Sequence, residues 1–146
     1  MDANTIHHVR TSWNKVEAIA PAAAALFYDN LFAAEPPLRA LFKHDMAQQG
    51  DKLMQMIGAA VARLDDLPSL VPVLRQLAVR HVGYGVREEH YAVVGAALLK
   101  TLAQGLAADF TPPVREAWTQ VYGLVAATMI DATRQAQAPA GAAVAG

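Results

Sequence analysis

Residues 74–95 read LRQLAVRHVGYGVREEHYAVVG, and the histidine among them, His81, decides how the rest of the chain is read. Leu70, Leu74 and Leu77 recur at spacings of four and three, the period of one helix face. Four residues on, His81 continues that stripe. Gly83 and Gly85 follow at once, and glycine can end a helix in a left-handed cap. A neutral imidazole in the last turn of a helix, turned into an apolar space, is placed to ligate a metal or a cofactor. The same segment also admits a core histidine bonded to a nearby carbonyl. The choice between them falls to the rest of the chain.

Composition narrows the field. A chain of 146 residues suits one domain with one core, and its 54% hydrophobic and 17% charged content is that of a globular protein. The formal net charge is -1 with both signs mixed along the chain, so no basic footprint points to nucleic acid or an anionic membrane. There is no cysteine, which excludes disulfides, thiolate nucleophiles, zinc fingers and iron–sulfur clusters. The opening MDANTIHHVR lacks the pattern of a secretory signal, and no uninterrupted apolar run approaches a membrane span. These features lead us to expect a cytoplasmic protein with no membrane insertion.

Every long segment has helical period, and none alternates as a strand would. Asn4 or Thr5 is expected to cap a first helix carrying Ile6, Val9, Trp13 and Val16. Pro21 suits the first turn of a second helix, whose face carries Ala24, Tyr28, Leu31 and Phe32. Pro36 and Pro37 break that helix and start a short turn with Leu38, Leu41 and Phe42. Gln49, Leu53, Met56, Ile57, Ala60 and Leu64 form the next face. Asp65, Asp66 and Pro68 punctuate it before the helix of His81. Two long helices close the chain, from about Glu88 through Leu106 and from Thr111 through about Arg134. One domain over residues 1–136 and a frayed tail over 137–146 are expected. About seven helical segments, several of them short and turned at prolines, suit crossed helices better than a simple four-helix bundle.

Four blocks then add up to a resemblance: FYDNLFAAEPPLRALF (27–42), QQGDKLMQMI (48–57), RHVGYGVREEHYAVVGAALL (80–99) and AWTQVYGLVAATM (117–129). In this order, with His81 following Gln49 by 32 residues, the chain resembles bacterial single-domain globins and the haem domain of flavohaemoglobins. The likeness runs from about Thr5 to Thr133. It implies an all-α globin fold, with crossed helices in a three-on-three sandwich around haem b. It further implies that His81 is the proximal iron ligand, held through the Leu77 carbonyl, and that Phe42 wedges the haem. On the distal side it implies Tyr28, Gln49 and Leu53. A phenol and an amide there can donate to a diatomic ligand that gains negative charge on binding.

Tyr91 matches the family's proximal tyrosine, but the accompanying glutamate position falls at Thr133, and Asp131 lies off that face. The missing anion weakens a peroxidase-like reading and favours reversible binding. Lys52, Arg80 and His90 are candidates for the haem propionates and equally read as ordinary polar surface. The resemblance implies O2, CO and nitric oxide as ligands. Turnover of nitric oxide would need a separate reductase. The competing classes are a histidine-phosphotransfer module, which requires an exposed histidine, and a globin-type redox or gas sensor.

Overall fold

The computed structural model describes residues 1–43 and 45–137, so all of the expected tail but Gln137 lies outside the described residues. Six α-helices form the body: α1 (Ala3–Glu17), α2 (Ala20–Ala34), α3 (Met46–Ala62), α4 (Leu67–Gly83), α5 (Glu88–Leu106) and α6 (Pro112–Gln137). Short 3-10 turns at Pro36–Leu41 and Ala107–Asp109 join α2 to α3 and α5 to α6. No strand occurs among the described residues.

Prolines open the helices where a missing N–H costs little: Pro21 in α2 and Pro68 in α4 lie in first turns, and Pro112 begins α6. The cap of α1 differs from expectation. Asp2 takes that role, its carboxylate accepting the Thr5 N–H at 2.8 Å. Thr5 is instead buried, with its hydroxyl donating to the Gln120 side chain at 3.3 Å.

Three helices pack on three. Within the layers α1 lies on α3, and α5 lies on α2 and α6; between them α1 and α4 pack on α6, and α2 packs on α3. Two glycines permit close crossings. A Cβ at Gly50 would stand 3.0 Å from the Ala24 Cβ, and one at Gly95 would meet the Tyr122 ring at 2.6 Å. Tyr122 therefore lies flat on α5, and its hydroxyl donates to the Tyr91 carbonyl.

The apolar interior falls into two clusters. The larger gathers Val9, Trp13, Leu70, Leu74, Leu102 and Trp118 around α1, α4 and α6. The smaller gathers Phe27, Tyr28, Leu31, Leu38 and Ala97 around α2. Half-buried Leu98 packs against both. By length and composition α5 is apolar enough to cross a membrane. Here its Tyr91, Gly95, Ala97, Leu102 and Leu106 are buried against other helices.

Candidate functional site

The site begins with the way α4 ends. Gly85 takes φ +92°, the Val86 N–H donates to the His81 carbonyl at 3.0 Å, and the Gly85 N–H donates to the Val82 carbonyl at 3.1 Å. This is a doubly bonded left-handed cap, and it fixes the turn that carries His81. Gly85 supplies the left-handed residue, while Gly83 is the last helical one. A side chain at 85 would also meet the Leu41 Cδ2 at 3.2 Å, so the turn after His81 rests against the segment bearing Phe42.

Within that turn the His81 Nδ1 lies 2.8 Å from the Leu77 carbonyl oxygen, the partner expected from sequence. A carbonyl only accepts, so Nδ1 carries the hydrogen and Nε2 keeps its lone pair. Burial lowers the imidazole pKa from 6.5, with the Leu77 bond pulling the other way. At neutral pH the ring is therefore uncharged, with one nitrogen ready to ligate.

Phe42 lies with Tyr28 and Phe32 in an aromatic group. Its ring stands edge-on to both, each at 5.3 Å between centroids. Leu53, from α3, packs against the same cluster. Burial pushes the Tyr28 phenol up to about 12, so it remains a neutral donor at ordinary pH. That donor is engaged: it reaches the Gln49 backbone carbonyl at 3.3 Å. The structure thus brings Tyr28, Phe42, Leu53 and the Gln49 backbone together. The half-buried Gln49 side chain makes no hydrogen bond among the described residues.

A second polar group lies between α5 and α6. Tyr91 and Thr133 are both buried, and neither hydroxyl has a hydrogen-bond partner among the described residues. Burial raises the Tyr91 phenol, while the nearby Thr133 hydroxyl pulls it back down. Thr133 therefore does come to Tyr91. Asp131 is exposed and lies 3.9 Å from Arg75.

The rim candidates separate. Lys52 and Arg80 are exposed, and neither makes an ion pair among the described residues. His90 has a structural task, its Nδ1 accepting the Arg87 N–H at 2.9 Å where α5 begins. Sequence reading missed this cap; a polar residue three positions after Arg87 was the available signal. It also missed Gly50, whose place directly after Gln49 marks the close crossing of α2 and α3 at Ala24.

These residues fit a haem. His81 offers one bare imidazole nitrogen, a donor that suits a metal whose other ligands come with a macrocycle. Helices α3 and α4 are joined only by residues 63–66, yet they pack mainly on other helices. Their apolar residues divide between the clusters: Leu53 belongs to the smaller, Ile57 and Leu77 to the larger. All three remain half-buried, which leaves apolar edges for a flat apolar group to cover.

Comparison with known proteins gives the same reading. The family model described as Globin matches residues 25–129. A flavohemoprotein of Vibrio cholerae is 31% identical over 86% of this chain, and one of Bordetella parapertussis is 37% identical over 78%. The chain spans 33% and 29% of those two relatives. A neuroglobin of Dissostichus mawsoni is 32% identical over 83% of this chain and 85% of its own length. A family match across most of the helical body, together with a relative spanned almost end to end, places the chain in the globin family, whose members bind gas ligands through haem.

Proposed function

We propose that the chain holds haem b through the His81 Nε2 and reversibly binds O2, with CO and nitric oxide as further ligands. The observation that carries this is the Leu77–His81 bond, which leaves a neutral imidazole with its second nitrogen bare. Haem supplies the iron to which the diatomic ligand attaches. Phe42 and Leu53 give an apolar wall, and Tyr28 and Gln49 supply donors to a ligand that becomes partly negative. Tyr91 stands on the proximal side, and Lys52 and Arg80 are the cations available to propionates.

A phosphotransfer histidine must be reachable by a partner protein. His81 is half-buried, with Nδ1 already engaged. The test is an absorption spectrum of the protein loaded with haemin. A Soret band that shifts on reduction and again with CO supports the reading. A protein that takes up no haemin, or whose ferrous form ignores CO, overturns it.

The flavohemoprotein relatives favour a second reading, oxidation of nitric oxide to nitrate by O2, which consumes one external electron per turnover. A separate reductase would supply it. Thr133 cannot provide the proximal anion, so we hold binding to be the primary role. Nitrate formed from nitric oxide in air, sustained only with an added flavin reductase, would support turnover; nitrate formation that stops after one equivalent would leave binding alone.

A further inference from the structure

We propose that His90 is an acid-released latch on the link that caps the His81 turn, so that haem is held less tightly once the His90 imidazole takes up a proton. The part that concerns haem rests on the reading above; the latch itself does not. Helices α4 and α5 are joined only by residues 84–87. The first end of this link is tied to α4, with the Val86 N–H donating to the His81 carbonyl at 3.0 Å and the Tyr84 N–H to the Arg80 carbonyl at 3.1 Å. At the last end the Arg87 N–H donates to the His90 Nδ1 at 2.9 Å. Arg87 is extended, with φ -112° and ψ 166°, and the chain turns into α5 directly after it. The imidazole thus satisfies a backbone donor that the helix itself leaves without a partner.

A backbone N–H only donates, so this bond uses the Nδ1 lone pair and fixes the neutral ring with its hydrogen on Nε2. A protonated imidazole carries hydrogen on both nitrogens and accepts nothing. The bond and the proton therefore exclude one another. The added charge would also face the positive end of the α5 dipole. An amide at the same position would hold the cap at any pH, so it is the imidazole that makes this helix start sensitive to acid.

The charges around this helix start are largely engaged with one another. Glu88 takes Arg134 of α6 at 2.7 Å, Glu89 lies 3.9 Å from Arg87, and Asp131 of α6 lies 3.9 Å from Arg75. Arg39 of the first 3-10 turn donates to the Phe42 carbonyl at 2.8 Å. The neighbouring elements further carry Glu35 at the end of α2, Lys43 and Arg80, and His90 makes no ion pair among the described residues. His90 is half-exposed, so its protonated ring can turn to water. Arg87 is then released, and Val86 beside it both packs on the larger apolar cluster and caps His81. The loosened link thereby reaches the turn that carries the iron ligand.

The test compares the parent with His90→Gln, whose amide accepts at any pH, and His90→Ala, which accepts at none. Haemin loss to an excess of an apoglobin is followed between about pH 8 and about pH 5, the range in which imidazoles titrate. At the upper end the parent should match the glutamine variant, with the alanine variant losing haemin about fivefold faster, the usual worth of a helix cap. At the lower end the parent should match the alanine variant instead. A second readout involves no haem chemistry: the Arg87 amide resonance should follow the His90 ring with a common midpoint. A ratio of parent to glutamine rates that does not change with pH would overturn the proposal. So would an Arg87 amide that ignores the His90 titration, or an alanine variant that keeps haemin as the parent does. Failure of the haem reading is distinguishable, since it appears as a missing Soret band, and the Arg87 resonance still tests the latch in that protein.

Discussion

His81 and Tyr28 both carry a polar group into apolar surroundings, and the chain holds them in different ways. The His81 Nδ1 is bonded to a carbonyl four residues back on its own helix, at 2.8 Å. The Tyr28 hydroxyl reaches across to another helix, at 3.3 Å. The first bond is local and short, so the fold of α4 alone sets the imidazole's tautomer and direction. The second depends on how α2 crosses α3 at Ala24 and Gly50, and it is long enough to exchange for another acceptor. The histidine side is thus preset, and the tyrosine side is adjustable.

The largest effect should come from breaking the preset side. His81→Ala removes the one bare imidazole nitrogen at the cap of α4, so the variant should lose tight haem retention and its Soret band. Far-ultraviolet circular dichroism should still show a largely helical protein, because the larger apolar cluster does not depend on the imidazole. Added imidazole should restore the spectrum in part. A variant with the parent's Soret and visible bands would show that another group holds the iron.

The adjustable side should respond more modestly, and differently for two ligands. Tyr28 must give up the Gln49 carbonyl before it can donate to O2, so its net contribution is the difference between two hydrogen bonds. A bond to a charged acceptor exceeds a neutral one by about 1–1.5 kcal/mol, so Tyr28→Phe should speed O2 dissociation about tenfold. Gln49→Leu removes a side chain with no competing partner, and its effect should be at least as large. CO, less polar when bound, should leave both variants at nearly the parent rate. The double variant should show less than the product of the two factors, since the residues touch. Equal O2 and CO effects would mean that the substitutions act through packing rather than donation.

The same phenol makes a pH prediction. The Tyr28 pKa rises from 10.0 to about 12 on folding. Between those values the unfolded chain has released the proton and the folded chain has kept it. Stability contributed by Tyr28 is therefore complete below pH 10 and declines as the pH rises toward 12. Denaturant melts across that range should show a falling stability whose slope is shallower in Tyr28→Phe. Part of the slope should persist, because burial also raises Tyr122.

Much of this was legible in the sequence because the decisive signals are local. The stripe Leu70–Leu74–Leu77–His81, the glycine after it and the prolines at the helix starts each act within one or two turns. These features foretold α4 and its cap, and the family resemblance added the Leu77 bond. The boundaries of α5 were readable for the same reason. What escaped notice depends on contacts between helices. Nothing near Tyr28 says that its hydroxyl ends on the Gln49 carbonyl; that follows from the close approach at Gly50. Nor does the spacing around Asn4 and Thr5 reveal that Thr5 is spent on Gln120 in α6, which leaves the cap to Asp2. His90 read as a candidate partner for the propionates, yet one short bond from the Arg87 N–H gives it a place at the start of α5.

The smallest expected effect concerns the pair between α5 and α6, where the comparison sharpens. Tyr91 and Thr133 carry buried hydroxyls with no partner among the described residues, in contrast to the fully bonded His81 turn. An unsatisfied buried hydroxyl costs about 1–3 kcal/mol, and valine has nearly the shape of threonine without that group. Thr133→Val should therefore stabilise the protein by about 1 kcal/mol and raise the melting temperature by about 2–4 °C. It should also raise the Tyr91 pKa further, because the Thr133 hydroxyl, near the phenol without meeting hydrogen-bond geometry, favours the phenolate and is gone. A loss of stability would mean that an internal water joins the two hydroxyls and that Thr133 is one of its partners. In that case the Tyr91–Thr133 pair is a bonded network rather than a quiet one. Thermal melts and a tyrosinate titration of the same variant read both outcomes.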